Sequence, residues 1–256
     1  MIAPAVDQAD PVFLFGFPRS GTTLLDTFLA GHPRTAVMEE RPVLHAVAEQ
    51  LGDEQSLEAL EPVAIERLRA HYFTCARQYA PDAVDKLLID KLPLGIVDTA
   101  LIHALFEAPR FIFVERHPCD VVLSCFMTRF DPKGGMANFL TLEDTAALYD
   151  VVMEHWRQCR AALTLDVHTV RYEEMIEDPE GTLRPLAEFL GLDWDDRLLD
   201  HLQSARERTY IGTPSYSQVA EPLYTRARGR WEHYRDEMAP VLPILAPWAE
   251  RMGYAL

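Results

Sequence analysis

The run Gly16-Phe17-Pro18-Arg19-Ser20-Gly21-Thr22-Thr23 has the residue types and spacing of an anion-binding loop. Glycine lets backbone amides approach a phosphate closely, and a helix starting at Thr22 adds unpaired N–H groups and the positive end of its dipole. Gly16 and Gly21 keep the spacing of the nucleotide loop that ends Gly-Lys-Ser/Thr, but Thr22 stands where that loop has its lysine. Arg19 carries the positive charge inside the loop instead. Such a loop suits an anion less charged than a triphosphate, held by amides, two hydroxyls and a guanidinium without an obligatory metal. Gly and Ser are also ordinary turn residues, so a purely structural strand-turn-helix connection is the competing reading.

Other polar residues fall where chain elements would bring them to the same place. Arg116 ends the apolar run Arg110 to Glu115, and Ser124 lies two turns into the helix expected after it. Both can point to one pocket at the carboxyl edge of a parallel sheet. Glu39-Glu40 follows the apolar stretch Thr35 to Met38, where a returning segment could lay a carboxylate over the loop. His32 and His117 each precede a proline and read as turn residues; there is no Gly-x-Ser-x-Gly elbow and no His-Glu-x-x-His pair.

The elements that must position these groups alternate. Pro11 to Phe17, Lys86 to Asp90, Arg110 to Glu115 and Val167 to Tyr172 read as strands, the first as one buried on both faces. Thr22 to Gly31, Pro42 to Leu51, Glu54 to Ala80, Leu94 to Phe106, Pro118 to Arg129 and Pro179 to Leu190 read as helices. From Thr141 to Leu163 apolar residues recur at three and four, giving a long amphipathic helix, and Ala239 to Met252 gives a terminal one. This alternation argues for right-handed βαβ units and a layered α/β fold. Thr209 to Leu223 is a loop of a length usually kept for function.

Composition sets the outer bounds. The 256 residues, 48% apolar and 25% charged, suit one packed domain over 1–256. The 24 basic and 40 acidic residues leave a net charge of −16, which disfavours nucleic acid and anionic lipid as main partners. Four cysteines lack metal-finger spacing and suit reduced thiols in a cytosolic protein. Without a charged start and apolar run at Met1 to Asp10, or a long apolar window, a cytoplasmic protein with no membrane span is expected.

These motifs together resemble the sulfotransferases that use 3′-phosphoadenosine 5′-phosphosulfate (PAPS), especially the branch of the tyrosylprotein sulfotransferases and of bacterial sulfotransferases often fused to tetratricopeptide repeats. The resemblance runs from Val12 to Trp231. It implies a P-loop-type parallel sheet flanked by helices in three α/β/α layers, with helical insertions. It also implies PAPS as donor, 3′-phosphoadenosine 5′-phosphate (PAP) as product, no metal, and in-line sulfuryl transfer to a hydroxyl acceptor. Residue by residue, Arg19, Ser20, Gly21, Thr22 and Thr23 would cradle the 5′-phosphosulfate, and Arg116 and Ser124 would share the 3′-phosphate. Lys91, in Asp90-Lys91-Leu-Pro, would stand near the transferring group, and Tyr172 near the nucleotide. Ser215 and Arg230 would belong to a loop closing over it.

At 21 residues beyond Arg19, Glu40 matches the catalytic glutamate of the tyrosylprotein branch. Glu39 is the alternative base. Like charge from the donor would raise such a carboxylate's pKa and Lys91 or Arg19 would lower it, so either sign is arguable. Glu40, Lys91 and Arg19 form the expected catalytic set, with no metal ligand.

The tyrosylprotein branch continues Glu-Glu-Thr-Arg where this chain has Glu39-Glu40-Arg41-Pro42, so peptide recognition does not carry over. The acceptor stays open between a small molecule and a peptide. Apolar positions of Glu54 to Ala80 could line an acceptor cleft or the face of a homodimer. Two other functions compete: a P-loop kinase, which would need Mg-ATP, and a non-catalytic nucleotide-binding module, which would bind without turnover.

Overall fold

The computed structural model describes residues 9–51, 57–207, 220–224 and 226–256. Its centre is a parallel sheet of five strands: β1 (Val12–Gly16), β2 (Thr35–Glu39), β3 (Leu87–Lys91), β4 (Arg110–Glu115) and β5 (Asp166–Arg171). They lie in the order β2-β3-β1-β4-β5.

Every residue of β1 is buried, as a central strand covered on both faces requires. Phe13 and Phe15 turn to one face, where Phe111, Phe113, Tyr72, Phe106 and Trp156 pack around them. Val12 and Leu14 turn to the other, against Leu25, Phe28, Leu183 and Leu186. Two apolar clusters on opposite faces of one sheet make the three-layer arrangement expected from the alternation of elements.

One helix on each side matters most for the site. Helix α1 (Thr22–Ala30) leaves β1 through the phosphate-loop sequence, and α5 (Pro118–Met127) leaves β4 directly after Arg116. Between them in chain order are α2 (Val43–Leu51), α3 (Pro62–Tyr79) and α4 (Thr99–Leu105). Then come the long α6 (Leu142–Ala162), α7 (Tyr172–Glu177), α8 (Pro179–Phe189) and α9 (His201–Glu207). The chain ends through the short helix Arg235–Met238 and the helix Leu242–Arg251. Because β1 is flanked by β3 and β4, the strand order reverses there, and a crevice opens at its carboxyl end.

The structure differs from the sequence expectation at four places. Thr35–Glu39 is a full edge strand rather than an apolar connection, and it pairs in register with β3 from Thr35 against Leu87 to Glu39 against Lys91. Strand β3 is shifted one residue forward, so Lys91 is its last residue. Tyr172 begins α7 instead of ending β5. The helix expected over Leu94 to Phe106 is a 3₁₀ segment, Pro93–Asp98, followed by α4. Gly95 lies there against Phe15, where a Cβ would come within 3.0 Å of the ring.

Part of α3 packs inward, while Val63 and Tyr79 are exposed. Leu68, Tyr72, Phe73 and Ala76 are buried in the core. Among the described residues no helix is long and apolar enough to cross a membrane.

Candidate active site

The loop after β1 folds back tightly. Ser20 N–H donates to the Phe17 carbonyl at 3.0 Å, and a Cβ on Gly16 would meet Ser20 Oγ at 2.5 Å and the Val114 carbonyl at 2.9 Å. Arg19 sits at φ 70°, a left-handed backbone that costs a non-glycine residue energy and is usually kept where function needs it. Gly21 follows at φ 108°, and a Cβ there would drive into the Tyr172 ring at 2.5 Å. No side chain caps α1 at Gly21, and Thr22 and Thr23 of its first turn line the crevice.

The crevice is a cavity of about 760 Å³, within the range of nucleotide-sized pockets. Of the residues singled out from sequence, Arg19, Gly21, Thr22, Thr23, Glu40, Arg116, Ser124, Tyr172 and Arg230 all line it. Ser20 and Lys91 do not. Ser20 is buried with its hydroxyl turned toward Gly16, and Lys91 is wholly buried behind Glu40. Ser215 lies outside the described residues, as does most of the loop Thr209 to Leu223.

At one end of the cavity two arginines are tied together. Arg19 Nε donates to Ser124 Oγ at 3.1 Å, while Arg116 Nη1 donates to the Arg19 carbonyl at 2.8 Å. Arg116 Nη2 donates to the Ala227 carbonyl at 2.6 Å, and its guanidinium lies 4.6 Å from the centre of the Tyr172 ring. Burial lowers the Arg19 pKa from a value so high that the guanidinium stays charged. Burial also raises the Tyr172 pKa, keeping it a neutral phenol.

Behind Glu40 stands a buried charge cluster. Lys91 Nζ is 2.7 Å from Glu40 Oε1 and 3.3 Å from both Glu39 Oε1 and Asp26 Oδ2. Burial alone would lower the lysine's pKa, but Asp26, Glu40 and Glu39 outweigh it, so the pKa is raised and the ammonium persists. Glu40 has φ 48° and is the carboxylate that reaches the cavity; Glu39 is not on its wall. The thiol of Cys125, behind the loop, donates to the Pro18 carbonyl at 3.2 Å. Its pKa is pushed far up by burial, which makes it inert.

Sequence reasoning missed Asp26, Asp120 and part of the cavity lining. Asp26 is a fully buried carboxylate on the otherwise uncharged α1, and that lone charge in Thr22–Ala30 was the available signal. Asp120, one turn into α5, accepts the Gly229 N–H at 2.7 Å and the Trp231 N–H at 2.9 Å. It ties the segment bearing Arg230 to the helix bearing Ser124, and nothing local in the sequence announces a partner so distant. Leu223, Tyr224 and Arg226 also line the cavity, from a segment whose sequence gave no periodic signal. His117, read as a turn residue, accepts the Cys119 N–H through Nδ1 and stacks on Trp231 at 5.1 Å.

The residues present can receive a nucleotide with two phosphate ends. Among the described residues Arg116 Nε is buried with no hydrogen-bond partner. Arg116, Ser124 and Arg19 are drawn together, and the glycine turn that starts α1 lies beside them. No group of three or more His, Cys, Asp or Glu side chains among the described residues has the arrangement to hold a metal ion.

Comparison with known proteins places this architecture. Residues 11–196 match the model of the sulfotransferase family. An uncharacterized protein of Aquifex aeolicus (strain VF5) is 29% identical over 253 residues, covering 92% of this chain and 32% of that protein. The chain thus spans about a third of that relative's length. Protein-tyrosine sulfotransferase 2 of Gallus gallus is 23% identical over 265 residues, covering 95% of this chain and 69% of that one. Among solved structures, the sulfotransferase domain of the Synechococcus PCC 7002 olefin synthase superposes with a TM-score of 0.67 at 24% identity, over 98% of both chains.

Proposed function

The chain belongs to the sulfotransferase family, and on that premise we propose that it transfers a sulfuryl group from PAPS to a hydroxyl acceptor as one domain. The observation that carries this reading is a cavity lined by Arg19, Ser124, Arg116 and Glu40, with Lys91 buried directly behind Glu40. The donor, when bound, supplies a sulfuryl group whose bond to the 5′-phosphate oxygen breaks as the acceptor oxygen bonds to sulfur, the electron pair staying on the phosphate.

Arg116 and Ser124 hold the 3′-phosphate, and Arg19, Gly21, Thr22 and Thr23 hold the 5′ end with the first-turn amides of α1. Ser20 contributes through its backbone position in the turn. Tyr172 supports both ends, its ring filling the space above Gly21 and under Arg116. Arg230, with Ser215, belongs to the segment that closes on the nucleotide. Glu40 takes the acceptor's proton at Oε, and Lys91 fixes that carboxylate and offsets the negative charge gathered at the reacting centre. Arg19 adds positive charge on the leaving side. No residue set is assigned to a metal, and the four cysteines without disulfide partners support a reducing, cytoplasmic setting.

The test is transfer of ³⁵S label from PAPS to a panel of simple alcohols and phenols in EDTA. Label transfer that survives chelation supports the reading. Hydrolysis or transfer from Mg-ATP, with none from PAPS, would replace it with a kinase.

A further inference from the structure

Resting on that reading, we propose that the acceptor end of the cavity takes an uncharged hydroxyl carried on an extended apolar body, in preference to an acidic peptide. Much of the cavity wall is apolar. Leu92 and Leu94 follow Lys91 by one and three residues, and Met127 stands one helical turn past Ser124. Phe130 and Met136 complete that wall, and all five residues line the cavity. A Cβ on Gly135 would come within 2.9 Å of Leu94 Cδ1, so the 3₁₀ segment Gly134–Leu140 lies directly on the chain that leaves the Lys91 strand.

This wall is anchored rather than loose. The Phe130 ring lies 5.0 Å from that of Phe139, and Phe139 lies 5.9 Å from Phe17 at the base of the phosphate loop. Met127 is 44% exposed, and Leu92, Leu94, Phe130 and Met136 are only partly buried, so their apolar surface is open to a ligand. Burying an acceptor's hydrocarbon there gains free energy in proportion to the area removed from water.

Charge points the same way. Of the described lining residues, the arginines are Arg19, Arg116, Arg226 and Arg230, which belong to the loop, the end of β4 and the segment after Leu223. The ammonium paired with Glu40, that of Lys91, is already held by three carboxylates. An acidic acceptor would find Glu40 and an apolar wall, on a chain of net charge −16.

The experiment uses the full chain with PAPS in EDTA and three probes: 4-alkylphenols from methyl to butyl, 1-alkanols from butanol to octanol, and a tyrosine peptide flanked by glutamates. PAP binding is measured in parallel by calorimetry. The expected result is a kcat/KM that rises about fourfold per added methylene, with the acidic peptide at least tenfold below the longest phenol. Leu94→Gln and Met136→Gln should each flatten the chain-length dependence while PAP affinity stays within twofold, which also reports that both variants fold. No chain-length dependence, or a peptide as good as the phenols, overturns the proposal. PAP binding without label transfer to any alcohol or phenol overturns it too, and leaves the donor reading standing. Failure to bind PAP removes the sulfotransferase reading itself and the acceptor end with it.

Discussion

Glu40 and Lys91 hold each other twice: the Lys91 ammonium lies 2.7 Å from Glu40 Oε1, and the Glu40 N–H donates to the Lys91 carbonyl at 2.7 Å. The backbone bond extends the β2–β3 ladder by one residue beyond Glu39, and it does so with Glu40 at φ 48°. That conformation aims one of two adjacent carboxylates at the cavity and leaves the other beside the lysine. Glu40→Gln keeps the shape but cannot take a proton. Turnover should fall by roughly 10²- to 10⁴-fold, with PAP affinity unchanged within a few-fold, as read by steady-state kinetics beside calorimetry. Parallel loss of binding and turnover would contradict Glu40 as the base.

Lys91 pairs with three carboxylates from inside the protein. Lys91→Met should leave Asp26 fully buried without its cation and cost about 3 to 5 kcal/mol, seen as a large fall in Tm. The ammonium's pKa is raised above its ordinary 10.5 in the folded protein. Folding therefore gains from this proton below about pH 10.5, and the gain is lost as pH climbs through the higher folded value. Thermal melts from about pH 9 to 12 should show this contribution level up to about pH 10.5 and falling above it in the wild type, with Lys91→Met lacking the fall.

On the opposite face of β3, Asp90 is buried against Tyr72, whose hydroxyl donates to Asp90 Oδ2 at 2.8 Å. Burial pushes the Asp90 pKa from 3.8 to about 7. The folded protein therefore holds this proton more tightly than the unfolded chain does, and the stability it contributes is lost as pH rises from about 4 through 7. Asp90→Asn keeps an acceptor for Tyr72 and removes the ionisation. Its stability relative to wild type should increase by roughly 3 to 5 kcal/mol between pH 4 and 8, measured by urea unfolding at each pH.

Much of this architecture was legible in the chain. The Arg110–Glu115 strand was located to the residue because four consecutive side chains, Phe111 to Val114, alternate aromatic and β-branched types between two charged residues. The phosphate loop was legible because its glycines are backbone requirements, and Gly21 at φ 108° shows why. Strand β2 was not, since Thr35–Glu39 is a five-residue edge element whose ladder is supplied by β3, more than fifty positions away. The same limit hid Asp26 and Asp120, whose partners Lys91 and Trp231 are distant in sequence. Fully burying Lys91 was also unreadable, because it depends on three carboxylates converging from two elements.

Asp120 offers a test of how the closing segment is held. Asp120→Ala strips the acceptor from two backbone N–H groups, one of them on the buried Trp231, at a cost of about 1 to 3 kcal/mol for each orphaned group. The donor KM should rise about tenfold or more, while kcat at saturating donor changes little. A fall in kcat alone would place Asp120 in the chemistry instead of in positioning.

The most direct measurement of the central claim is calorimetric titration of the protein with PAP in EDTA, beside ATP with Mg²⁺, for wild type and Arg116→Ala. Tight metal-independent binding of PAP is expected for wild type. Arg116→Ala should weaken it by roughly 10- to 100-fold, the worth of a charge-assisted phosphate contact. Preference for Mg-ATP, or PAP binding indifferent to Arg116, would contradict a PAPS site in this cavity.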